Sequence, residues 1–97
     1  MPSSKDYLTY VLDLLRDIDD ISYKKMMGEY ILYKNNVIFG GIYDDRFLVK
    51  ITKSIKEKGF QEVIPYPSAK PMFLIDIEDV DEITIIVNKI YDDLSIR

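Results

Sequence analysis

The apolar positions form two helical stripes that enclose a region of period two. Between residues 5 and 19, Leu8, Val11, Leu12, Leu15 and Ile18 recur at i, i+3, i+4 and i+7, the spacing of one buried helix face. Tyr7, Tyr10 and Leu14 flank that stripe, which suits a helix lying on a sheet or helping to form an interface. Ser3 or Ser4 can cap this helix by accepting a first-turn N–H, with Asp6 near the positive end of its dipole. Asp17, Asp19 and Asp20 would sit at the negative end, so the predicted helix stops there.

From residue 24 the period changes. Residues 24–33 are predicted as one strand, kinked or bulged at Gly28, and Lys34-Asn35-Asn36 as a turn. Residues 37–43 form a second strand and residues 46–51 a third, joined through Asp44-Asp45. Two such short turns make the three an antiparallel meander. Thr52 is expected to cap a short helix over 52–58, closed by Gly59. Residues 60–64 read as a brief strand and Pro65-Tyr66-Pro67-Ser68-Ala69 as a loop. The last strand is 70–77, with Pro71 at its edge or start. Asp79 followed by Glu82 opens the final helix, which runs to about residue 94 with Ile83, Ile86, Val87, Ile90, Tyr91 and Leu94 on its apolar face.

The predicted order is α-β-β-β-α-β-β-α. It implies an α+β two-layer sandwich, an antiparallel sheet with one face covered by the two long helices. With 97 residues and no repeat or linker, one domain over residues 1–97 is expected. No apolar run reaches the roughly 20 residues of a membrane helix, and residues 1–6 lack the apolar stretch of a secretory signal. A cytoplasmic protein is expected.

Composition then removes whole classes of chemistry. The chain has no His and no Cys, which excludes Ser-His-Asp and Cys-His catalysis and Cys/His zinc sites within it. Any general acid or base near neutral pH would be a shifted carboxylate, Lys or Tyr, and no enzyme is expected. The adjacent acids Asp19-Asp20, Asp44-Asp45, Glu78-Asp79 and Asp92-Asp93 are read as solvated turn and helix-end residues, because Mg²⁺ or Ca²⁺ needs several converging oxygens. Gly40-Gly41 lacks the spacing of a phosphate loop, so no metal or cofactor is expected.

The net charge of −4 is uneven. Residues 46–70 hold Arg46, Lys50, Lys53, Lys56, Lys58 and Lys70 against Glu57 and Glu62, a local +4 that leaves −8 elsewhere. Direct nucleic-acid binding through this segment is the alternative to a protein partner, and the overall acidity weighs against it.

The runs Lys25-Met26-Met27-Gly28, Tyr30-Ile31-Leu32-Tyr33 and Ile38-Phe39-Gly40-Gly41-Ile42 resemble the N-terminal domain family of TfoX (Sxy), bacterial regulators of natural competence. Phe47-Leu48-Val49-Lys50, Gly59-Phe60, Lys70-Pro71-Met72-Phe73 and the C-terminal amphipathic helix follow in that family's order, over roughly residues 5–95. Gly28-Glu29 stands where the family has Gly-Gly. No counterpart of the second, helix-hairpin-helix-like TfoX domain follows, so a stand-alone single-domain member is expected. The resemblance implies a fold like that of secretion chaperones and a non-catalytic role in transcriptional regulation through a protein partner.

Two segments are the candidate partner-binding residues. One is Lys25, Met26, Met27 and Gly28, where two lysines (with Lys24) flank adaptable apolar side chains. The other is Tyr66, Lys70, Pro71 and Met72, on a proline-rich loop with an aromatic tip. The plain reading of the first is a strand with alternating faces, and of the second a loop that folds back over the sheet edge. Eight tyrosines are too many to be catalytic acids; core edges and a homodimer surface explain them.

Overall fold

The computed structural model describes residues 3–95. The elements are α1 (Lys5–Leu14), β1 (Ile21–Met26), β2 (Glu29–Lys34), β3 (Val37–Ile42), β4 (Phe47–Val49), a 3₁₀ turn (Lys56–Lys58), β5 (Glu62–Val63), β6 (Met72–Leu74) and α2 (Val80–Ser95). All six strands join one sheet in the order β1-β2-β3-β4-β6-β5, and every pairing is antiparallel. Leu8, Val11, Leu14, Leu15 and Ile18 from the first helical region and Ile83, Ile86, Val87 and Ile90 from α2 share one buried cluster. Tyr30, Leu32, Phe39, Ile42, Phe47, Val49 and Phe73 of the sheet join it, with Ile55 and Ile75 from the connecting segments. The α+β two-layer sandwich follows from these pairings, because the two helical stripes can leave water only by closing on one sheet face.

Three local expectations change. Residues 24–33 are not one bulged strand but parts of β1 and β2, with Met26 opposite Glu29 across a two-residue turn at Met27-Gly28. The same geometry recurs at Asn35-Asn36 and at Asp44-Asp45, where Tyr43 and Arg46 exchange both backbone hydrogen bonds. All six turn residues have positive φ, the signature of type I′ hairpins, whose twist matches that of the strands they join. The register slip instead lies between Leu32 and Tyr33: Leu32 faces Gly40 and Tyr33 faces Ile38, leaving Phe39 as the extra residue.

The first helix ends at Leu14 rather than at 19, because the chain tightens into i→i−3 bonds from Arg16 N–H to Asp13 C=O and from Ile18 N–H to Leu15 C=O. Leu15 and Ile18 stay buried all the same. The predicted helix over 52–58 shrinks to the 3₁₀ turn, which Thr52 does not cap. Ser54 is tied instead to α2: its N–H and Oγ donate to the Asp93 carboxylate at 2.8 and 2.6 Å. Gly59 closes the turn at φ 69°, as its position implies. Ser4 is the N-cap of α1, accepting from Tyr7 N–H at 3.1 Å, and Asp79 Oδ1 accepts from Glu82 N–H at 3.2 Å.

Gly41 is held tightly. A Cβ there would stand 2.7 Å from the Tyr30 carbonyl oxygen and 2.7 Å from the Tyr43 ring, while one at Gly40 would strike the Leu48 carbonyl oxygen. Neither backbone can retreat without opening the ladder. Gly41→Ala is therefore expected to lower unfolding stability by about 1–3 kcal/mol, read as a lower midpoint in urea denaturation.

Candidate partner-binding site

The sheet face away from the helices is not flat. Tyr43 projects over it, its ring lying against the Cβ-less Gly41. Gly41 pairs with Leu48, which is fully buried yet stands outside the helix-side cluster. The Pro65–Ala69 loop crosses this face. Pro67 and Ser68 occupy the centre of a turn closed by Ala69 N–H to Tyr66 C=O at 3.1 Å; Ser68 has φ 73°, the type II pattern with proline leading. That turn brings the Tyr66 ring within 6.1 Å of the Tyr43 ring, centroid to centroid.

Tyr43, Pro65 and Tyr66 form a ridge between two open hollows. The first, of about 410 Å³, is lined by Ile38, Gly40, Lys50, Ile51, Ala69, Lys70, Pro71 and Met72 besides the ridge. The second, of about 560 Å³, is lined by Met26, Met27, Glu29 and Ile31 besides the ridge. No residue of either helix lines them. The structure thus brings six of the eight candidates to one face: Met26 and Met27 in the second hollow, Lys70, Pro71 and Met72 in the first, and Tyr66 in both. Lys25 and Gly28 line neither. Lys25 is exposed on β1 opposite Tyr30, whose side chain belongs to the helix-side core. Gly28 sits in the turn, where its carbonyl accepts from Ser3 N–H at 3.0 Å.

Met27 is not a strand residue, and its position is unusual. It is 98% exposed with φ 52°, in a turn type that favours Asn, Asp or Gly. The other two turns use Asn-Asn and Asp-Asp. A left-handed methionine costs about 1–2 kcal/mol, and here that cost places a bare thioether beside the second hollow.

Sequence reasoning missed Tyr43, Ile31, Ile38, Lys50 and Ile51 as lining residues. One signal was available: the run of residues 30–33 is apolar or aromatic throughout, so it does not alternate, and a strand apolar on both faces covers something on each. Glu29 was also missed. Its Oε1 accepts from Ser3 N–H at 3.1 Å, Ser3 Oγ at 2.6 Å and Asp44 N–H at 3.2 Å. Glu29 thereby ties the segment before α1 to β2 and to the β3–β4 turn.

The basic segment does not form one patch. Lys58 pairs with Glu82 of α2 at 2.8 Å, the Lys53 charge acts on Asp93, and Arg46 Nε donates to the Tyr43 carbonyl. Lys50 and Lys70 reach the first hollow, are exposed, and have no ion-pair partner among the described residues. Among the described residues no three His, Cys, Asp or Glu side chains are grouped to hold a metal ion, and no helix is long and apolar enough to cross a membrane. Compared with models of known families and with curated proteins, the chain matches none.

Burial pushes the Tyr43 phenol above its ordinary pKa, and the nearby Tyr66 and Glu29 add to this by charge. An acid whose folded pKa is raised stabilises the fold fully below its unfolded value, near 10, and this contribution is lost as pH rises through the folded value. Stability should therefore decline as pH rises through and above about 10, with a smaller decline in Tyr43→Phe, as measured by urea denaturation at each pH. Glu29→Gly is expected to destabilise by about 1–3 kcal/mol by removing hydrogen bonds to a charged acceptor. It should also speed proteolysis near Ser3, read by mass spectrometry of the cleaved chain.

Proposed function

We propose that this protein is a non-catalytic interaction module that binds a protein partner on the helix-free face of its sheet. The observation that carries this reading is the ridge of Tyr43, Pro65 and Tyr66 with an open, largely apolar hollow on either side. Monomeric proteins seldom leave such contiguous apolar surface bare, and a tyrosine with an exposed tip on a rigid sheet is a frequent interface anchor. Tyr66 is 57% exposed, Met26 47% and Ile38 39%, and all three line this surface.

The same lining favours binding over catalysis. Its one carboxylate, Glu29, is engaged by Ser3 and Asp44. Its lysines are exposed, whereas a lysine acting as base or nucleophile needs desolvation to lower its pKa. A protein partner is preferred to nucleic acid because the six cations of residues 46–70 are dispersed, with Lys58 and Lys53 facing α2 carboxylates.

In line with the TfoX-like resemblance, the module is assigned to transcriptional regulation in the bacterial cytoplasm. A homodimer is part of this reading. Of the two sheet edges, β1 offers six residues and β5 two, so β1 is the edge on which a second copy would pair.

Immobilised protein is expected to capture a specific protein from lysate of its own cell. Tyr66→Ser should lose that protein, while Lys89→Ala, on the exposed side of α2, should retain it. Native mass spectrometry should give twice the chain mass. A strict monomer that captures nothing specific would overturn the reading.

A further inference from the structure

The two hollows differ in a way that defines what they can hold. The first is lined by Lys50 and Lys70 among apolar and aromatic side chains and contains no carboxylate. The second carries Met26, Met27 and Ile31, and its single acid is held by the Ser3 and Asp44 donors. One end of the surface is therefore apolar and cationic, the other apolar and soft, and they meet at Tyr43 and Tyr66.

We infer that this face takes an extended acidic–apolar peptide segment of the partner. A carboxylate side chain would enter between Lys50 and Lys70, and an aliphatic side chain would seat against Met26, Met27 and Ile31. This deepens the interaction reading above and rests on it. Charge complementarity selects the occupant. Among the described residues the two lysines have no ion-pair partner, so this hollow locally rewards an anion even though the charge outside residues 46–70 is −8. An extended chain supplies both anchors at once, since residues two apart project to the same side. The ridge between the hollows offers two aromatic rings for its backbone to cross.

The exposed left-handed Met27 is an independent sign. Asn would fit that turn better; the methionine there weakens the hairpin and adds an adaptable apolar contact to the second hollow.

The test is a ¹⁵N-labelled titration of the whole chain with three blocked peptides, built on repeating Leu-Ser-Glu-Ser, Leu-Ser-Lys-Ser and Leu-Ser-Gln-Ser, and with a thymidine oligonucleotide. The acidic peptide should shift the amides of Met27, Ile31, Lys50, Ala69 and Met72 and leave those of α2 in place. Lys50→Gln with Lys70→Gln, both exposed, should weaken that binding about five- to tenfold and flatten its salt dependence. Met27→Asn should weaken it while raising the thermal midpoint, an outcome that mere misfolding could not give.

Equal binding of all three peptides, shifts confined to the helix face, or no shift with millimolar acidic peptide would overturn the inference. So would an oligonucleotide that binds more tightly than the acidic peptide and is lost in the double lysine variant. The two readings fail separately. If Tyr66→Ser still abolishes partner capture while the acidic peptide does not bind, the interaction module stands and the acidic–apolar assignment falls.

Discussion

The close approach of backbones at Gly40 and Gly41 is the constraint from which the arrangement of this protein follows. These residues lie on β3, which pairs with β2 on one side and β4 on the other. Without side chains they let the Leu48 and Tyr30 carbonyls come closer than any Cβ would allow. The consequences run to both layers. Beneath the helices, Phe39 and Ile42 are fully buried in the core cluster with the stripe of α2. On the other face, the Tyr43 ring lies down where a Gly41 side chain would have stood, and it becomes half of the ridge that divides the open surface.

A second layer of organisation is polar and local. Three successive hairpins use the same two-residue turn, and their residues show how strictly backbone geometry selects chemistry. Asn-Asn and Asp-Asp tolerate left-handed dihedrals because their short side chains bond locally. Met-Gly follows the rule at its second position and breaks it at its first. The Glu29 carboxylate next to that turn gathers Ser3 and Asp44, so one strand of the sheet, the start of α1 and the β3–β4 turn are fixed relative to one another. A fold that is locally strained at Met27 is thus fastened at the adjacent residues, which is how a sheet can carry an exposed apolar tip without losing its register.

The basic segment shows why charge along a chain is a poor guide to charge on a surface. Six cations within residues 46–70 look like one patch in the sequence. The turn at residues 56–58 and the crossover from β4 to the far edge separate them: Lys58 meets Glu82 at the start of α2, Lys53 lies near Asp93 at its end, and Lys50 and Lys70 remain on the opposite face.

Much of the fold was legible because its signals are periodic and local. The helical stripes of Leu8–Ile18 and Ile83–Ile90, the caps Ser4 and Asp79, and the turn residues Asn35, Asn36, Asp44 and Asp45 each state their geometry within a few positions. The absence of His and Cys likewise limits the chemistry open to this chain. The β1–β2 turn was hidden because methionine is a poor turn former, so Met27-Gly28 read as the middle of a strand. The site was half visible. Met26, Met27, Tyr66, Lys70, Pro71 and Met72 drew attention by composition, but that they share one surface, and that Tyr43 and Lys50 join them, depends on strand order. Which residues a sheet brings side by side is set by pairings between distant segments, such as β4 with β6, and by the side from which the helices cover it. Neither is written in any local stretch of chain. The elements and the excluded chemistries were therefore the sequence's own doing, and the binding face was made by tertiary packing.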